Sequence, residues 1–456
     1  MKRRVLFRNF LSTLIGLMGA KASATSAPEN PKQSGSQQPE LGEFQKNLAS
    51  DAGADLIGIT SPHAPAFLKT LSDIVNGSEV SIFQAIPRSE YEAIKNFTSN
   101  YDCSPAFIEL LNQMRDTRKF RGGKILMPFG LFNIDSTINF YMPGVQGLAF
   151  QGGGATVTAI RWRGGATTAF TNATDESERF QYGVNFNGFT LGTTIPGSKD
   201  LRLIEGSTGI HLEMCQKHWA TNDISIYGFD TNLDIGIHAE AGGVNDSQFS
   251  YGRVNVNMYG NQADCTVFNN VWNYGAKERG YLISSPRCQI VGGFIGSVRG
   301  YSNPKEYVGI QIGFQAARST DIGKTRTISD LKAGGNGNRC LISQVAFEGD
   351  GEQAHILVKN IDEDPRRPSG LWIINNNFAA YNRNSVIEFA TPYDNATISG
   401  NFLSKSKENN TGLVNVSGQS MGRLHISEPS VTRVFQSEEQ YWKYGASRDD
   451  FLALPQ

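Results

Sequence analysis

From residue 124 onward, apolar and polar positions alternate in short runs of three to five residues, broken by Gly and Asn. A period of two marks strands with one buried face. Two ladders of such runs recur along the chain. One joins Ile226-Tyr227-Gly228-Phe229, Val291-Gly292-Gly293-Phe294, Ile374-Asn375-Asn376-Asn377-Phe378 and Ser399-Gly400-Asn401-Phe402. The other joins Ile356-Leu357-Val358, Ile387-Glu388-Phe389 and Leu413-Val414-Asn415-Val416, and the late steps span 24 to 31 residues. Structural units that return at this interval predict stacked coils, each burying an apolar stack that cannot stand alone. An antiparallel sandwich or propeller is the weaker alternative, because few Asn-Gly or Asp-Gly hairpin turns separate the runs.

The clearest repeat is a pentad, Gly209-Ile210-His211-Leu212-Glu213, returning 27 residues later as Gly236-Ile237-His238-Ala239-Glu240. Read as equivalent strands of adjacent coils, the pentads stack Ile210 on Ile237 inside. His211, Glu213, His238 and Glu240 then form a polar square outside. The asparagines at 375–377 are expected to form an internal turn ladder.

Helical spacing is confined to the N-terminal region. Residues 67–75 carry it, and so do residues 104–118, where Phe107, Ile108, Leu111 and Met114 share a face. Ser104 is the expected N-cap there, with Pro105 at the first helical position. Lys2-Arg3-Arg4, an apolar run over 10–20 and Ala22-Ser23-Ala24 predict a cleaved leader over 1–24. Its Arg3-Arg4 pair resembles a twin-arginine signal, which implies export, and no integral membrane segment is expected after cleavage. Residues 25–41 are a polar, Pro/Ser/Gln-rich linker, 42–120 a small α/β neck with a capping helix, and 121–430 the coils. Residues 431–456 are the expected C-terminal cap or tail, where 437–456 predict a short amphipathic helix that covers the open end, a bare edge that invites aggregation, or joins subunits.

Charge changes this picture little. Of 456 residues, 42 are basic and 43 acidic, so electrostatics point to neither nucleic acid nor an acidic membrane. The cysteines at 103, 215, 265, 288 and 340 are widely spaced and follow no metal pattern, so reduced core thiols are expected, with no metal and no cofactor.

Asp102-Cys103-Ser104-Pro105-Ala106, followed by Gly122-Gly123-Lys124-Ile125-Leu126-Met127-Pro128-Phe129-Gly130, resembles the opening of pectate-lyase-like right-handed parallel β-helices. The resemblance covers about 30 residues, with weaker coil similarity to about residue 420. It implies an all-β, single-stranded right-handed parallel β-helix whose helix plugs the first coil. Upstream, 48–58 and 71–83 resemble the neck of phage tailspikes and capsule depolymerases. That implies a homotrimer that binds and cuts surface polysaccharide.

Glycan cleavage by hydrolysis needs two carboxylates; β-elimination of a uronate needs a base and a neutralising cation. The polygalacturonase and pectate-lyase motifs are absent, which disfavours plant-pectin chemistry. The candidate catalytic residues are His211, Glu213, His238, Glu240, Asp223 and Asp246. Trp219, Tyr251, Tyr259 and Trp272 are candidates for stacking on sugar rings, and Arg253 for neutralising an acidic sugar. Tyr227, Tyr274, Asp230, Asp234 and Asp264 belong to the same dense stretch. Glu348, Asp350 and Glu352 read as a solvated acidic turn. The leading expectation is an exported polysaccharide depolymerase, hydrolase or lyase. The alternatives are a non-catalytic glycan binder and a structural component of a virion tail.

Overall fold

A computed structural model describes residues 58–60, 68–70, 79–116, 123–142, 147–173, 180–198, 202–216, 218–259, 263–315, 337–349, 353–362, 368–379, 385–404, 412–417 and 421–428. The expected leader, linker and C-terminal helix lie outside these residues, as do Asp350 and Glu352. The chain divides into two units, 1–72 and 73–456. In the first, Gly58–Thr60 pairs antiparallel with Leu68–Thr70. The helix expected over 67–75 is therefore a strand at residues 68–70.

The second unit is a parallel β-helix with three ladders of short strands. Sheet 1 starts at Glu79–Ser81 beside Lys124–Met127 and continues through Gly243–Asn245, Val267–Asn269, Gln289–Val291, Leu341–Ser343 and Leu371–Ile374. Sheet 2 includes Gln248–Ser250, Trp272–Tyr274, Phe294–Gly296, Ala346–Glu348, Asn377–Ala379 and Phe402–Ser404. Sheet 3 includes Ile204–Leu212, Phe229–Ile235, Val254–Met258, Arg279–Ile283, Val308–Ile312, Ile356–Val358, Ser385–Phe389 and Gly412–Val416.

One residue per coil makes the corner between sheets 1 and 2. Gly188, Asp223, Asp246, Asn270, Gly292, Gln344, Asn375 and Gly400 hold φ between 45° and 69°. Gly, Asn and Asp enter this left-handed region at the least cost, which is why they recur there. The following residue turns inward, and three residues of sheet 2 follow.

Ile356, Ile387 and Val414 stack in register, as their sequence pattern predicts. In the other ladder Val291, Ser343, Ile374 and Ser399 also align. Ile226 does not join them. It sits on sheet 2 beside Phe249, and its resemblance to the others arises because glycines with positive φ, Gly228 and Gly292, mark different corners.

The capping helix Ser104–Asp116 plugs the first coils. Its backbone N–H at Ser104 and the Ser104 hydroxyl both donate to the Asp102 carboxylate, at 2.9 and 2.7 Å. Ser104 Oγ in turn accepts from the N–H groups of Asp135 and Ser136, tying the helix start to the first coil. Phe107, Leu110, Leu111 and Met114 are buried, with Phe107 against Phe150 and Phe170, whereas Ile108 is exposed rather than on the core face.

Of the three asparagines expected in an internal ladder, Asn376 lies inside, whereas Asn375 is an exposed corner residue and Asn377 points out from sheet 2. The Asn376 side chain accepts from Val345 N and donates to Asn401 Oδ1, and Asn401 does the same one coil later toward Glu428. A second ladder, Asn232–Asn255–Asn273, runs inside the middle coils. Such buried amides are tolerated because each finds partners above and below. Glu428 ends the first ladder with a carboxylate where an amide would serve. Burial pushes it up to about 7 from 4.5, despite the hydrogen bonds from Asn401. The stability linked to its proton is fully present below pH 4.5 and is lost as pH rises through 7. Thermal melts of Glu428→Gln should lack that loss across pH 4–8. Parallel profiles for wild type and variant would refute the assignment.

Candidate functional site

The pentads do not stack on one another. His211 pairs with Asp234, 23 residues on, and Ile210 pairs with Leu233. His238 therefore falls past the end of its strand, in the turn from sheet 3 toward sheet 1, with φ of 55°. The coil step is shorter than the pentad spacing, so the polar square is not formed as a strand-paired unit. The glycines that make the pentads alike serve close approach. A Cβ at Gly209 would lie 2.5 Å from Asn232 O, and one at Gly236 would lie 2.7 Å from Tyr259 Oη and 3.4 Å from His211 Cε1.

What the register builds instead is a carboxylate–imidazole–carboxylate cluster. Protonated His211 donates through Nδ1 to Asp234 Oδ2 at 2.8 Å and through Nε2 to Glu213 Oε2 at 3.3 Å. Asp234 Oδ1 also accepts from the Asn257 amide at 2.8 Å. The Asn172 side chain accepts from Glu213 N and donates to its carbonyl, fixing the backbone there. The His211 side chain is 13% exposed, against 2% for Glu213 and 3% for Asp234. Burial alone would depress the imidazole, but the hydrogen bonds and charges of Asp234 and Glu213 outweigh it and raise the group to about 9. At neutral pH His211 is a proton donor and a local positive charge, not a free base. Asp234 was expected only as one of several acids, with Asp230 and Asp264, that could bind sugar hydroxyls or supply catalysis, and not as the partner of His211. A 23-residue step read from His211 would have found it.

His238 and Glu240 form a looser pair, Nδ1 to Oε1 3.7 Å, beside the ring of Phe180. Burial holds Glu240 above its ordinary value, and the Gln216 amide and Arg287 offset only part of that. Arg287 itself pairs with Asp264.

The remaining expected site residues are dispersed. Asp223 and Asp246 are exposed corner residues with φ of 49° and 45°, and the Asn270 amide donates to Asp246. Backbone geometry accounts for their identity. Trp219 and Tyr259 are each 1% exposed, so neither presents a ring to a sugar. Arg253 is held by Asp230 through two hydrogen bonds, 2.9 and 3.1 Å, and by Glu278 at 3.2 Å, so its charge is already matched. Tyr251 packs edge-on against Tyr274 and Tyr301, and the Tyr301 hydroxyl donates to its carbonyl.

Trp272 is the expected aromatic that faces solvent, 54% exposed. Phe294 lies beside it one coil on, ring centroids 5.5 Å apart, and Tyr274 points to the same side two residues along. The Gln248 amide donates to Tyr274 Oη at 3.0 Å. Phe294 was not expected here. Its position two residues past the corner Gly292, matching Trp272 two past Asn270, was the available signal. Among the described residues, no group of three or more His, Cys, Asp or Glu side chains is arranged to hold a metal ion.

No protein-family model matches the chain, and no curated protein matches it. Solved structures do resemble it. The ORF18 protein of Geobacillus virus E2 matches at 11% identity and TM-score 0.42, over 77% of this chain and 62% of its own length. The A-module of mannuronan C-5 epimerase AlgE4 from Azotobacter vinelandii matches at 12% identity and TM-score 0.46, over 75% and 96% of the two chains. The tailspike protein of E. coli bacteriophage HK620, solved with a pentasaccharide, matches at 12% identity and TM-score 0.40, over 85% and 84%. The likeness is one of fold. Its own three parallel ladders make the chain a parallel β-helix.

Proposed function

We propose that this protein binds a carbohydrate polymer on the outer face of sheet 2. The observation that carries the reading is the exposed Trp272 beside Phe294 and Tyr274 on a rigid parallel sheet. A large ring left in water, with half-buried Phe294 and Tyr274 beside it, marks a binding surface, and such rings suit sugars, which have one apolar face and a rim of hydroxyls. Trp272→Ala should weaken binding to a recognised polysaccharide by about 30-fold or more, as loss of an aromatic anchor does. Its thermal stability should stay near wild type, because the side chain is exposed. Unchanged affinity in titration calorimetry would overturn the assignment.

A second reading, that the protein also cleaves a glycan at a separate place on sheet 3, is favoured by the His211 cluster. Hydrolysis of a glycosidic bond needs two carboxylates, and the cluster supplies a pair, Glu213 and Asp234, either side of the His211 imidazole. Elimination needs a free base, which an imidazolium clamped by two carboxylates is not. Cleavage should therefore release reducing ends without the ultraviolet absorbance of an unsaturated sugar, and Glu213→Gln should lower it at least 100-fold. Homotrimeric assembly, and export or placement on a virion tail, belong to the same reading on the sequence resemblance. Light scattering of the purified protein tests the assembly.

A further inference from the structure

By register, Trp272 lies beside Phe294, Phe294 beside Ala346, Ala346 beside Asn377, and Asn377 beside Phe402. All five residues point outward in one column. Trp272 and Phe402, at its two ends, are 54% and 51% exposed. Four coil steps of about 4.8 Å separate them, about 19 Å in all. That is longer than one sugar ring and comparable to a short oligosaccharide. The column is thus a track with an aromatic platform at one end, a single ring at the other, and a low floor of Ala346 and Asn377 between.

Its chemistry is uncharged. No Lys or Arg stands in this column or in the outward column two residues along, where the one ionisable acid is the exposed Glu348. The corner residues beside the track include the exposed amides of Asn270, Gln344 and Asn375, each two residues before a track residue. Amides give and accept hydrogen bonds without preferring a charged partner. The arginine expected to neutralise a uronate, Arg253, is engaged by Asp230 and Glu278. Among the described residues of these two columns, an anionic sugar would be stripped of water, face Glu348 and meet no cation, a net cost.

We infer that the ligand is an uncharged polysaccharide lying lengthwise along the solenoid axis from Trp272 to Phe402, so that short fragments occupy one end only. This rests on the carbohydrate reading above. The test is titration calorimetry of the full chain with neutral glucan, mannan and galactan fragments, from disaccharide to hexasaccharide, beside oligogalacturonate and alginate fragments. Neutral fragments should bind, with affinity rising to the longest. Phe402→Ala should cost about tenfold on the hexasaccharide and nothing on the disaccharide, while Trp272→Ala weakens both. Tighter binding of uronate fragments, still lost in Trp272→Ala, would overturn the inference and leave the carbohydrate site standing. Binding indifferent to Trp272, or no binding across the panel, would overturn the carbohydrate reading itself. A fall in mass by light scattering in Phe402→Ala would make the column a contact between copies of the chain and overturn both.

Discussion

Replacing His211 with alanine is expected to destabilise the protein at neutral pH by about 3–5 kcal/mol, the usual result of removing one partner from a buried ionic cluster. Two nearly buried carboxylates, Glu213 and Asp234, would be left facing each other without the cation between them. Wild type carries a matching pH dependence. His211 is raised to about 9 in the folded protein from 6.5, so its contribution is fully present below pH 6.5 and is lost as pH rises through 9. The shift corresponds to about 3 kcal/mol. Urea midpoints of wild type and His211→Gln, measured from pH 6 to 10, should converge as pH rises, because glutamine keeps hydrogen-bonding capacity but has no proton to lose. A constant difference across that range would show that the cluster is not held by the imidazolium. Lowering the pH of His211→Ala should restore part of its stability as the stranded carboxylates take up protons. The same variants probe cleavage: a purely structural His211 would leave turnover per folded molecule unchanged.

The fold was legible because its logic is local and repeated. Ile356, Ile387 and Val414 can be aligned by eye since each coil presents the same inward-pointing position after a similar interval. The site was legible only in part, and the reason is the same interval. A matching pentad 27 residues on drew attention to His238, while the coil step of 23 placed Asp234 beside His211. Loops between ladders change length from coil to coil, so identical words need not be neighbours and neighbours need not share words. Asp223 and Asp246 illustrate a second limit. Carboxylates at regular spacing suggest chemistry, but here the spacing belongs to a left-handed corner that glycine and asparagine fill elsewhere. Aromatic residues are ambiguous for a third reason. Trp219 and Trp272 lie in equally polar stretches, and only the strand register decides that one is core and the other surface.

That division between the two tryptophans yields the second large effect. Gly242→Ala is expected to cost about 3 kcal/mol, the upper range for overpacking a well-filled interior. A Cβ at Gly242 would lie 1.9 Å from Trp219 Cε2 and 2.0 Å from Cζ2, and the indole is 1% exposed, with little room to retreat. The backbone cannot shift freely either, because Gly243 N donates to Trp219 O and ties the two coils together. If the clash is the cause, shrinking the ring should relieve it. Trp219→Phe alone should destabilise by leaving a void, yet in the Gly242→Ala background it should recover part of the loss, a non-additive result measurable by denaturant titration. Simple additivity would refute the packing account. The double-mutant cycle also bears on function, since Trp219 was a candidate sugar-stacking ring on sequence grounds. A buried ring braced against Gly242 can be altered without touching a ligand on sheet 2. The variants that remain folded should therefore bind polysaccharide as wild type does, whereas Trp272→Ala should lose binding and keep its stability.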